Sequence, residues 1–83
     1  SLTKEDTETS YYIIIGVYEV KEVAEKTLSA LINQGFTNAS ILKRAGRLDV
    51  YSDSFNDKSE ALKFLKKFRN ENPNYYDAWL LKH

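Results

Sequence analysis

Sliding this sequence along itself by 37 residues lays Ile14 on Tyr51, Tyr18 on Phe55, Lys21 on Lys58, Ala24 on Ala61, Leu28 on Leu65, Leu31 on Phe68 and Leu42 on Trp79. In these pairs apolar falls on apolar and cation on cation, with helices and strands in phase. A unit of that size cannot bury its own apolar side, so two copies must pack together around one core. At 83 residues the chain has room for one small domain and no deep catalytic cavity.

The unit repeated is strand, helix, strand. Tyr11-Tyr12-Ile13-Ile14-Ile15-Gly16-Val17-Tyr18 is the most strand-like run, β-branched and aromatic throughout except for Gly16. Residues 20–34 carry Val20, Val23, Ala24, Thr27, Leu28, Leu31 and Ile32 at helical spacing between Lys and Glu. Gly35 then stands where a left-handed helix stop belongs, followed by Phe36 as its apolar contact. A short strand at 39–43 and a turn at Ala45-Gly46 lead into a third strand at 47–54, where Leu48 and Val50 share one face and Asp49 and Tyr51 the other. Asp57 with Glu60 reads as a capping box for a helix over 58–69, whose stripe is Ala61, Leu62, Leu65 and Phe68. Pro73 ends that region, and 75–82 closes the chain as a fourth strand with both faces apolar. The expected fold is α+β: a βαββαβ two-layer sandwich of the ferredoxin or RNP kind, with a four-stranded, mainly antiparallel sheet and both helices on one face. Residues 1–10, polar and helix-poor, read as a linker or tail, and 11–83 as the domain.

Twelve basic and twelve acidic residues cancel, which argues against a nucleic-acid partner and favours a neutral polymer or a protein. No cysteine is present, and His83, the single histidine, is terminal and isolated. No apolar run is long enough to insert into a membrane. No constellation for a nucleophile, paired acids, a metal or a phosphate loop stands out, so neither enzyme activity nor a cofactor is expected. The basic run Lys63, Lys66, Lys67 and Arg69 reads as a solvated helix face.

If both helices cover one side of the sheet, the other side is open. Alternation from Asp49 and Tyr51, carried through the repeat, places Tyr12, Ile14 and Trp79 there too. A contiguous aromatic surface on a small domain marks a binding site, and flat rings with hydrogen-bonding neighbours suit sugars, nucleobases or a protein. Tyr12, Tyr51 and Trp79 are the expected stacking platforms, with Asp49 as a polar contact.

Residues 12–18, with Ala24 in the following helix, then Val50-Tyr51-Ser52-Asp53-Ser54-Phe55 with Ala61 in the next, resemble the SPOR domain, or sporulation-related repeat. The resemblance covers nearly all of residues 11–82. It implies a periplasmic or cell-envelope module within a longer membrane-anchored protein of bacterial cell division. Such domains bind peptidoglycan glycan strands stripped of stem peptides, which gather at the septum, on the open sheet face. By the same resemblance Ile14 and Val17 fall in the glycan-contacting region. This chain departs from the family pattern there, with Ile14 where Gln is common, Val17 for Ser, Leu48-Asp49-Val50 for Tyr-Arg-Val, and Asp53 for Gly. These exchanges remove donors for sugar hydroxyl and acetamido groups.

Two further readings use the same fold. A protein-interaction module would dimerise or dock on another envelope protein through Ile14, Val17 and Trp79. A ligand-sensing or RNA-binding domain would want a Gly-rich helix start, or aromatics flanked by cations on the central strands; Asp49 and Asp53 argue against RNA.

Overall fold

The structure is a computed structural model that describes residues 10–83. The tail expected at 1–10 therefore lies almost wholly outside the described residues. Strand β1 (Tyr11–Tyr18) leads to helix α1 (Lys21–Asn33), strands β2 (Ser40–Arg44) and β3 (Arg47–Phe55), helix α2 (Lys58–Glu71), a 3-10 turn (Pro73–Tyr75) and strand β4 (Trp79–Lys82). The sheet order is β2-β3-β1-β4 with every neighbouring pair antiparallel, the expected α+β arrangement. The fourth strand is shorter than the sequence suggests. Pro73 opens the 3-10 turn, and Ala78 N–H bonds back to the Tyr75 carbonyl, so extension begins only at Trp79.

Helix ends follow the local chemistry. The Asp57 side chain accepts from the Glu60 amide at 3.2 Å, starting α2. After α1, Gly35 at φ +105° lets its own amide reach the Ile32 carbonyl and the Phe36 amide reach the Leu31 carbonyl. Those paired bonds make a Schellman stop, and Leu31 and Phe36 pack together in the core as it requires.

Each helix roofs its own half of the sheet. Under α2 lie Ile13, Ala61, Leu65, Phe68 and Ala78; under α1 lie Ala24, Leu31, Ala39 and Val50. Ile15, Phe36 and Tyr75 pack against both groups and join them into one core. Ala24 and Ala61, partners in the repeat, are both fully buried, because only a methyl group fits where each helix comes close to the strands. Tyr75 stacks on Phe68 at 5.7 Å and donates its hydroxyl to Gln34, the C-cap of α1.

The repeat is written into the sheet ladder itself. Ile14 pairs with Tyr51, its own repeat partner, so a pseudo-twofold axis passes between them. Under it the rung Tyr11–Phe55 becomes Leu48–Tyr18, and Tyr12–Ser54 becomes Asp49–Val17; all four rungs are observed. The two register shifts obey the same symmetry, one at Ile15-Gly16 and its counterpart at Ser52-Asp53.

Candidate functional site

The face turned away from the helices is assembled rung by rung. Ser40, Tyr51, Ile14 and Trp79 form one row across all four strands, since each pairs with the next. Leu42, Asp49 and Val17 form a second row, and Ser54, Tyr12 and Leu81 a third. Leu80 packs into the core, which fixes the parity of β4 and puts Trp79 on the open side. All six expected residues, Tyr12, Ile14, Val17, Asp49, Tyr51 and Trp79, thus share one face.

Val17 reaches it only through the bulge. Regular alternation from Ile14 would turn Val17 into the core; the shift at Ile15-Gly16 flips the parity, so that Val17 meets Asp49 and Tyr18 enters the core instead. Gly16 lets the Tyr18 ring cross it closely: a Cβ would lie 2.7 Å from the ring's Cζ, and the ring would have to swing aside.

The face is an aromatic rim over a buried floor. Trp79 is 37% exposed and Val17 40%. Tyr12 and Tyr51 meet edge to face, with centroids 4.8 Å apart at 66°, and both remain partly exposed. Two expectations change at this point. Ile14 and Asp49 are fully buried, so neither presents surface to a ligand as the rim residues do. Ile14 is the spacer beneath Tyr51 and Trp79, setting those rings one strand to either side of it. Asp49 is held by Arg44, whose Nε donates to Oδ2 at 2.5 Å, and Asp49 Oδ1 and Arg44 Nη2 are buried without a partner.

Arg44 was not among the expected site residues, although its position was readable. A two-residue turn at Ala45-Gly46 pairs Arg44 with Arg47, and Arg47 has the parity of Asp49. Asp53, in the second bulge, has its carboxyl pushed above the ordinary range by burial, an effect partly offset by the amide of Asn38 donating at 3.2 Å. Among the described residues no three His, Cys, Asp or Glu side chains gather as a metal site would need, and no helix is long and apolar enough to cross a membrane. What the face offers is stacking area and polar groups at its margin, the equipment for holding a flat, hydroxylated polymer.

The comparisons with known proteins agree with this architecture. The solution structure of the peptidoglycan binding domain of the B. subtilis cell wall lytic enzyme CwlC superposes with a TM-score of 0.70 at 24% identity, covering 99% of each chain. No curated protein matches the sequence. The SPOR domain family model matches residues 7–82, spanning both repeats and all four strands. A match over the whole duplicated βαβ unit shows that the chain belongs to the SPOR domain family.

Proposed function

We propose that this domain is a non-catalytic peptidoglycan-binding module that lays a glycan strand across its open sheet face. The observation that carries the reading is the Tyr51–Ile14–Trp79 row, with Tyr12 packed edge-on against Tyr51. These rings take the apolar faces of sugars, Val17 extends the apolar rim, and Ile14 and Asp49 hold the platform from beneath. Membership of the SPOR domain family supports it, and so does the likeness in fold to a peptidoglycan binding domain. The preferred strand is one stripped of stem peptides, because a flat platform without a deep cleft suits a bare polymer. The domain serves to place a longer, membrane-anchored envelope protein at the division septum, where such strands accumulate.

The test is Tyr51→Ala with Trp79→Ala. Losing two stacking rings lowers affinity for glycan about 100-fold. Both side chains lie outside the helix-covered core, so the circular dichroism spectrum should be retained. Unchanged binding by the folded double variant would remove this site from consideration.

A further inference from the structure

We propose that Arg44 and Arg47 form an anion subsite at the hairpin end of the open face, one that takes the lactyl carboxylate exposed on a muramyl sugar when its stem peptide is cut away. The inference rests on the glycan-binding reading above and names the group that makes a stripped strand the better ligand. Arg44 and Arg47 are rung partners at the end of the β2–β3 ladder. Like charges placed directly opposite each other disfavour a sheet, so this pairing needs a compensating anion. Asp49 supplies it for Arg44 and leaves Arg47 without one. Its Oδ2 accepts from Arg44 Nε, while Asp49 Oδ1 and Arg44 Nη2 are both buried without a partner, so the exposed cation of the rung is Arg47. Arg47 is exposed, and no ion pair engages it among the described residues. Two guanidinium groups on one rung, with a single carboxylate paired to the first of them, leave a local positive charge at the hairpin end.

The position fits the polymer. Arg47 and Tyr51 lie on one strand and one face, roughly 13 Å apart at 3.3 Å per residue, and Trp79 is two strand spacings, about 10 Å, to the side of Tyr51. The arginine rung runs parallel to the aromatic row, two same-face rungs to one side, so it meets substituents that a strand stacked on that row points towards the hairpin. The chemistry fits too. In intact peptidoglycan the lactyl group is a neutral amide. Hydrolysis breaks its C–N bond, releases the peptide as an amine and leaves a carboxylate. Guanidinium pairs with that carboxylate far better than with the amide.

The probes are amidase-stripped glycan strands and a β-1,4-linked N-acetylglucosamine oligomer, which has the same backbone and acetamido groups but no lactyl carboxylate. The domain should prefer the stripped strand by about tenfold, the effect of one charge-assisted hydrogen bond. That preference should weaken in high salt. Arg47→Gln, at an exposed position, should bring the ratio of the two affinities close to one, and Arg44→Gln should do the same if circular dichroism shows it folded. A ratio near one for the unaltered domain, or a tenfold ratio that survives Arg47→Gln, would overturn the subsite while leaving glycan binding in place. Failure to bind either probe would overturn the glycan reading and this inference with it.

Discussion

Removing the guanidinium of Arg44 should unfold this domain more readily than removing any other surface charge. The Asp49 carboxylate is fully buried on the sheet face, and Arg44 is the side chain paired with it. Arg44→Met keeps most of the stem volume and leaves that carboxylate uncompensated, a loss that elsewhere costs about 3–5 kcal/mol. The Arg44 side chain is 19% exposed, so water can enter part of the space it vacates, and the lower end, about 3 kcal/mol, applies. A domain of this size is stable by only about 4–12 kcal/mol, so the variant gives up a quarter or more of the total. The melting temperature should fall by roughly 12–24 °C, at about 4–8 °C per kcal/mol. Replacing both partners, Arg44→Met with Asp49→Leu, removes the unpaired charge and should return stability to near that of the unaltered domain. Urea titrations followed by circular dichroism measure all of these, with an unchanged m-value showing that the same surface is exposed on unfolding. A loss below about 1 kcal/mol for Arg44→Met, or a double variant as weak as the single one, would show that the Asp49 carboxylate does not depend on Arg44.

Two other perturbations probe separate parts of the account. Gly35→Ala meets no atom within 4 Å, so its whole cost is the φ of +105° that ends α1; thermal melts should show a loss of about 1–2 kcal/mol, and no loss would mean that the stop tolerates an L-residue. Asp53→Asn probes the raised carboxyl in the second bulge. Burial makes the folded state hold that proton more tightly than the unfolded chain does, so its contribution is most favourable below the unfolded carboxylate range and is lost as pH rises through the folded value. The variant should therefore be more stable than the unaltered domain at pH 7, with the difference shrinking towards pH 3; urea midpoints that differ equally at both values would contradict the assignment.

The strand-helix-strand duplication was legible because apolar spacing and the 37-residue offset act on every residue of the two units, and the sheet repeats that offset in its own ladder. The face of Tyr12, Ile14 and Tyr51 was legible by alternation, which holds wherever pairing is regular; Trp79 could be placed there only through the repeat, because its own strand is apolar on both sides. Burial on that face was not legible. Alternation says which way Ile14 and Asp49 point but not that Tyr51, Trp79 and Arg44 would close over them, because that depends on neighbouring strands rather than on their own. Val17 shows the opposite failure. Its side is set by the bulge at Ile15-Gly16, which a strict period of two cannot represent. The length of β4 was overestimated because Tyr75 and Tyr76 are good strand residues that Pro73 commits to a 3-10 turn.

Co-sedimentation with purified sacculi decides whether the open face holds bare glycan. The domain is mixed with sacculi before and after an amidase removes the stem peptides. The bound fraction should rise on amidase treatment, and Tyr51→Ala with Trp79→Ala should abolish the rise. No binding to either preparation would contradict glycan binding, and would turn the exposed Val17 and Trp79 surface towards a protein partner.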